Sequence, residues 1–199
     1  MTSTPVLRVL PTRRLEGSVA AARRHPVRRI ATIVAVMLGL VAPLAVAVTP
    51  AVAMTVPPRT SFEVSVANAV KTVINAERKL HGLAPVYMNY NLILSARRHN
   101  VTMARYNTMS HQLPGEPYFG TRMTNAGYSW SWAGENIGWN STMTTRGVVT
   151  LEKLMYNEVA PNDSHRRNIL NPHFRNVGVD VYLDKVHHKA WLTTDYGHH

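Results

Sequence analysis

Apolar residues recur every three or four positions in four stretches of the chain, which is the period of an amphipathic α-helix. The first stretch runs from Phe62 to Leu80 and ends before Gly82, a residue typical of the end of a helix. The second covers about Tyr90 to Thr108, and another covers Thr144 to Tyr156. A shorter helix is predicted from Tyr118 to Ala126.

The period changes to two near the C-terminus. Here valine and leucine alternate with glycine, aspartate and tyrosine from Val177 to Leu183, which predicts a half-buried strand. After a polar connection, Ala190 to Tyr196 predicts a returning antiparallel strand. The pattern therefore predicts an α+β fold in which helices cover a small, mainly antiparallel sheet.

The N-terminal region has no such periodicity. Residues 1–29 hold seven arginines and one acidic residue, Ile30 to Val48 is uncharged and apolar, and Ala51-Val52-Ala53 follows. This order is typical of a secretory signal peptide, so we expect a signal peptide at 1–53, a linker at 54–61 and a folded domain at 62–199. An uncleaved membrane anchor is the alternative, and Arg28-Arg29 leaves a twin-arginine export route open.

Removing residues 1–53 changes the charge of the protein. The chain carries 22 basic and 11 acidic residues, and the part that remains carries 15 and 10, a formal charge of +5. No basic run is interleaved with aromatic residues, so no nucleic-acid partner is expected. Contact with a membrane is expected only through an uncleaved signal segment. The chain has no cysteine, so the domain must rely on its core instead of disulfides.

Four polar residues at the predicted element boundaries are candidates for chemistry: His111, Glu135, Glu158 and His165. Two imidazoles and two carboxylates suffice for a divalent metal site, although no two of them form a short-range pair such as His-x-x-x-His. Glu158 and His165 flank a bend at which a helix restarts. Glu135 sits between a glycine and an asparagine and is also typical of a turn. His99 lies on the apolar face of the second helix, where a buried core histidine is favoured over a ligand.

Seven motifs, taken in order, resemble the extracellular CAP domain, which is the SCP-like family of cysteine-rich secretory proteins, antigen 5 and pathogenesis-related proteins, in its disulfide-free bacterial form. The motifs are Asn75-Ala76-Glu77-Arg78 with Gly82-Leu83-Ala84-Pro85, Leu92 and Ala96, Met109-Ser110-His111, Arg122, Gly134-Glu135-Asn136-Ile137, Asn162 to Leu170, and Val177-Gly178-Val179.

The resemblance implies a three-layer α-β-α sandwich with a cleft lined by His111, Glu135, Glu158 and His165. It implies that the two histidines bind a divalent cation, with zinc the expected ion, and that the two glutamates either complete the ligand set or orient the histidines. Ser164 departs from the pattern, because relatives usually carry glycine there. The match extends over essentially the whole predicted domain.

A secreted binding module is the favoured function, with an unknown extracellular or cell-envelope ligand, and an enzyme is the less favoured one. In the enzyme alternative, Glu135 or Glu158 is the general base of a metal-assisted hydrolase of the peptidase or esterase type. Relatives also suggest binding of a lipid or sterol in a groove, although core packing is the commoner role of methionine. The candidate methionines for this groove are Met103, Met109, Met123, Met143 and Met155. In a last alternative, the only role of the four polar residues is to form a hydrogen-bonded network that holds the loops.

Overall fold

The computed structural model describes residues 56–199, so the predicted signal peptide and the first two residues of the predicted linker lie outside the described residues. The described elements follow one another in the order α1 Ser61–Leu80, β1 Tyr87–Met88, α2 Tyr90–Tyr106, α3 Phe119–Asn125, β2 Trp132–Asn140, α4 Thr145–Tyr156, α5 Ser164–Ile169, β3 Asn176–Asp184 and β4 Lys189–His198. The four predicted helices and both predicted strands are present, with ends that differ by one or two residues. Strands β1 and β2 were not predicted.

The four strands form one mixed sheet in the order β1-β3-β4-β2. Strand β1 is parallel to β3, whereas β4 is antiparallel to both β3 and β2. Strand β2 is therefore an edge strand, and it carries Glu135. This strand places the carboxylate of Glu135 at the border of the sheet, where loops from both sides can reach it.

Helices cover both faces of the sheet. Helices α1, α4 and α5 pack together on one face, and α2 and α3 pack together on the other. The larger core lies between the first group and the sheet and includes Val70, Leu151 and Val179, while Met103 and Trp191 belong to a core on the α2 side. The predicted α+β sandwich with three layers is confirmed.

Local sequence explains where the first two helices begin. The hydroxyl of Thr60 accepts a hydrogen bond from the backbone N–H of Glu63, and the carboxylate of Glu63 accepts one from the backbone N–H of Thr60, which is a complete capping box. Asn89 caps α2 through its side-chain oxygen. Helix α2 then packs so closely on β3 that a Cβ at Gly178 would overlap the backbone of Leu92.

Arg78 of α1 ties the loop between α5 and β3 to the rest of the domain. Its guanidinium is fully buried and donates to the backbone oxygens of Ile169 at 2.7 Å, Asn171 at 3.0 Å and Phe174 at 3.2 Å. It also donates to the backbone oxygen of Ala84 at 2.9 Å. One side chain thus satisfies four carbonyl groups that no strand or helix would otherwise pair.

Residues 56–60 of the predicted linker belong to no helix or strand, but Pro57, Pro58 and Arg59 are docked on the domain. Arg97 of α2 donates to the backbone oxygens of Pro57 at 3.2 Å and Pro58 at 3.1 Å. Arg59 forms an ion pair of 3.0 Å with Asp180, a fully buried residue of β3. The chain therefore approaches α1 along a fixed path. Among the described residues, none of the helices is long and apolar enough to cross a membrane.

Candidate functional site

His111 and Glu135 meet at the α2 side of the sheet. His111 lies in the loop that follows α2, and its Nδ1 is 2.8 Å from Oε1 of Glu135. Glu135 lies in the middle of β2, opposite Asp195 of β4, and is 1% exposed. The interpretation of Glu135 as a turn residue is wrong, because the strand places its side chain in the interior.

Arg122 of α3 fixes this pair from the other side. Its guanidinium donates to Oε2 of Glu135 and to the backbone oxygens of His111 at 2.8 Å and Pro117 at 3.0 Å. The arginine side chain is only 5% exposed. Both oxygens of the Glu135 carboxylate therefore have a partner, and the loop that carries His111 is held to the same guanidinium.

The surroundings of Glu135 keep it ionised. Burial by itself would raise the pKa of Glu135, but the charge of His99, the hydrogen bond from His111 and the charge of Arg122 together lower the pKa to about 2. A carboxylate that is charged at neutral pH can accept the Nδ1–H of His111 and so orient the imidazole ring.

His165 and Glu158 form a second pair at the α5 side. Nδ1 of His165 is 2.6 Å from Oε1 of Glu158, and the backbone N–H of His165 donates to Oε2 at 3.0 Å. Asp163 is the N-cap residue of α5 but makes no side-chain capping bond. The carboxylate of Glu158 takes that role, so one residue both begins α5 and orients the histidine on it.

Two asparagines connect the elements that carry the two pairs. The amide of Asn136 donates to the backbone oxygen of His165 at 3.1 Å. The amide of Asn168 donates to the side-chain oxygen of Asn136 at 2.8 Å and to the backbone oxygen of Glu135 at 3.2 Å. Strand β2 and helix α5 are therefore held at a fixed spacing.

The Nε2 atoms of His111 and His165 share one property: both are buried, and neither has a hydrogen-bond partner. A carboxylate beside Nδ1 accepts a hydrogen bond from the Nδ1–H, so the neutral imidazole carries its lone pair on Nε2. Burial lowers the pKa of His165, and the charge of His111 lowers it further, while Glu158 opposes both effects. Each imidazole therefore offers an Nε2 atom that no hydrogen bond occupies.

Few protein atoms at this site are available to bind a metal ion. No group of three or more histidine, aspartate or glutamate side chains in residues 56–199 is arranged to hold a metal ion. Among the four candidate residues, the oxygens of Glu135 and Glu158 already accept hydrogen bonds, which leaves the Nε2 atoms of His111 and His165. The buried Nε2 of His99 also has no hydrogen-bond partner. Such an arrangement fits a cation that keeps water or an external ligand in its remaining positions.

The sequence profile described as the cysteine-rich secretory protein family, CAP, matches residues 72–196. The chain belongs to the CAP family. The uncharacterized protein YkwD of Bacillus subtilis (strain 168) is 36% identical over 125 residues, which cover 60% of this chain and 45% of that relative. The chain therefore spans less than half the length of this CAP relative.

Solved structures agree with the CAP assignment. An extracellular protein of Bacillus anthracis str. Ames that contains an SCP domain is 26% identical, with a TM-score of 0.59 over 72% of this chain and 45% of that one. An outer surface protein of Borrelia burgdorferi is 16% identical, with a TM-score of 0.57 over 67% of this chain and 92% of that one. The second similarity shows the fold alone.

Two further residues of this CAP domain surround Glu135 and were not predicted as site residues. His99 is fully buried, as expected of a core histidine, but its Nδ1 is 2.9 Å from Glu116 and its Nε2 is 4.0 Å from Oε2 of Glu135. Asp195 faces Glu135 across the β2–β4 ladder, and burial together with the charge of Glu135 raises its pKa well above the ordinary value. No sequence signal marks these partners, because they meet only through tertiary packing.

Proposed function

We propose that this CAP protein is secreted and that its cleft binds a divalent cation through the Nε2 atoms of His111 and His165. The observation that carries the proposal is that both atoms are buried without a partner while a carboxylate occupies Nδ1 of the same rings. A buried polar atom without a partner is costly, and a bound cation would remove that cost. Secretion rests on the predicted signal peptide, with support from the extracellular description of the similar Bacillus anthracis protein.

Zinc is the cation that this chemistry favours. Neutral imidazole nitrogen is a preferred zinc ligand, and a carboxylate that accepts the other ring N–H is the usual partner of such a histidine. Glu135 and Glu158 provide those carboxylates, and their negative charges would balance the charge of the ion. With two protein ligands the remaining positions would be open to water or to a group of the binding partner.

A binding module fits the site better than a hydrolase does. A general base needs a carboxylate oxygen that can take a proton from water. Glu135 uses one oxygen for His111 and the other for Arg122, and Glu158 uses both for His165. To act as a base, either residue would have to use an oxygen that already accepts a hydrogen bond, which makes that oxygen a weaker proton acceptor.

The methionines give no support to a lipid groove. Met103, Met123 and Met155 are fully buried in the core, and Met109 and Met143 are partly buried and pack against it, in agreement with the commoner role of methionine. The external ligand that we propose is therefore an extracellular or cell-envelope molecule that approaches the cation in the cleft.

Calorimetric titration of Zn²⁺ into the protein and into a His111→Ala/His165→Ala variant tests the proposal. We expect saturable binding of one ion to the protein and no such binding to the variant. His187→Ala/His188→Ala is the matched control, because these histidines lie between β3 and β4, away from the cleft, and their removal should leave the binding at His111 and His165 unchanged. Equal heats from the protein and the His111/His165 variant would refute the proposal.

A further inference from the structure

We propose that a groove beside α5 binds an acidic saccharide. This α5 groove has a volume of about 370 Å³ and is lined by residues that include Trp132, Asp163, Arg166, Arg167, Asn171 and His173. Its size suits one or two sugar rings. The inference does not depend on the proposed cation site, since neither His111 nor His165 lines the groove.

Trp132 provides an aromatic platform. The indole is 45% exposed and lines the groove, so part of its surface is open to a ligand. One of its faces is covered by the imidazole of His173, with ring centroids 3.9 Å apart and an interplanar angle of 1°. The ring is therefore fixed in place, and its uncovered area can take the apolar face of a pyranose without an entropic cost for ordering the indole.

The wall that carries His173 is also rigid. The backbone N–H of His173 donates to the side-chain oxygen of Asn171 at 2.9 Å, and the buried guanidinium of Arg78 donates to the backbone oxygens of Asn171 and Phe174. Trp132 itself belongs to the β2–β4 ladder, opposite His198. The groove is thus formed before any ligand arrives.

The polar groups of the groove include both donors and acceptors. Arg166 is held by a 2.5 Å hydrogen bond to the backbone oxygen of Tyr156 and by its position over the Tyr156 ring. The side chain of Arg167 is 67% exposed and is 3.4 Å from Asp163. Asn171 adds an amide. Arginine, aspartate and asparagine together can pair the hydroxyl groups of a sugar, each of which is a donor and an acceptor.

This combination distinguishes a saccharide from other ligands. A phosphate or a nucleotide would place its anionic oxygens near the carboxylate of Asp163, to which the hydroxyl groups of a sugar can donate. The groove also contains Leu170 and Pro172, but a lipid chain would cover Arg167 and Asp163 without giving either charge a partner. Two arginines against one aspartate leave a positive excess, so a sugar that carries a carboxylate is favoured over a neutral one.

The test compares hyaluronan tetrasaccharide, which carries uronic carboxylates, with neutral chitotetraose by calorimetry at low salt. We expect the hyaluronan fragment to bind at least about fivefold more tightly, because of the arginines. Trp132→Ala should weaken binding of both oligosaccharides by at least about tenfold. Trp130→Ala is the matched control, because Trp130 is 44% exposed but does not line the groove.

Arg167→Glu keeps the platform and tests the charge alone. We expect this variant to lose the preference for hyaluronan while it still binds chitotetraose. The His111→Ala/His165→Ala variant should bind both oligosaccharides like the unchanged protein, which separates this inference from the proposed cation site. Failure of hyaluronan to bind, an unaltered affinity in Trp132→Ala, or equally tight binding of tetraglutamate would overturn the assignment.

Discussion

The side-chain amide of Asn136 donates a hydrogen bond of 3.1 Å to the backbone oxygen of His165. Asn136 follows Glu135 on β2, and successive side chains of a strand point to opposite faces, so Glu135 faces the α2 side while Asn136 faces α5. The dipeptide Glu135-Asn136 therefore contacts His111 on one side of the sheet and His165 on the other. The spacing of the two proposed ligands depends on this connection.

Asn136→Ala should weaken both the domain and the cation site. The substitution removes the side-chain donor to the backbone oxygen of His165 and one of the two acceptors of the Asn168 amide, so we expect a loss of about 1–3 kcal/mol in the free energy of unfolding. Urea denaturation measures this loss, and zinc titration should show a parallel loss of affinity. Asn162→Ala, at an exposed asparagine before α5, should change the free energy of unfolding by less than about 0.5 kcal/mol.

Glu158→Gln should lower the affinity for zinc by about 10–100-fold, because the carboxylate that orients His165 loses its charge. The fold should survive, since glutamine can still accept the backbone N–H of His165. Glu77→Gln removes a carboxylate of α1 that contacts neither histidine, and its zinc affinity should equal that of the unchanged protein. Equal affinities of all three proteins would contradict the orienting role of Glu158.

The free energy of unfolding should fall as the pH rises, because two carboxyl groups are buried between α1 and α4. Glu152 is fully buried, and burial followed by the charge of Glu77 raises its pKa to about 8. Burial also raises the pKa of Glu77 to about 7, against the charges of Lys153 and Arg166. Burial raises the pKa of Tyr196 on β4 well above its ordinary value, and the charges of Glu152 and Glu77 raise it further, whereas the charge of Arg78 opposes this shift.

The direction follows from proton binding. Below the ordinary glutamate pKa of 4.5, folded and unfolded chains are both protonated and the full stability is present. As the pH rises towards about 8, the unfolded chain releases a proton that the folded chain keeps, which costs up to about 1.4 kcal/mol per pH unit for one group. Urea denaturation between pH 5 and pH 9 should show this decline, and Glu152→Gln should flatten it. An identical slope in the variant would assign the decline to other groups.

Arg78→Lys should destabilise the domain by roughly 2–4 kcal/mol, because a lysine cannot satisfy the four carbonyl groups that the guanidinium fork reaches. The loop between α5 and β3 should also become sensitive to proteolysis, since three of those carbonyls belong to residues 169–174. Lys79→Ala, one residue further along the same helix but exposed, is the matched control and should change stability by less than about 0.5 kcal/mol.

Periodicity was sufficient to predict the elements with one buried face, such as α1 and β3. Strand β2 was missed because most of its residues are buried on both faces, so Glu135, Asn136 and Ile137 follow one another without alternation. Strand β1 has two residues and is too short for any pattern. The four candidate site residues came from their positions at predicted element boundaries together with motif resemblance, whereas the partners of Glu135 could not be predicted. The pairing of His99 with Glu116, and the position of Asp195, arise from long-range packing.

The docked segment before α1 shortens the chain that could tether the domain to a membrane. Arg97 and Arg59 hold Pro57, Pro58 and the start of α1 against the domain. If the chain is anchored through its N-terminal segment, the free tether therefore ends at Pro57 and not at Ser61. At about 3.3–3.6 Å per extended residue, this removes roughly 13 Å of reach. A protein that kept its N-terminal segment in a membrane would thus hold its ligands close to that surface, whereas a released one would carry them away by diffusion.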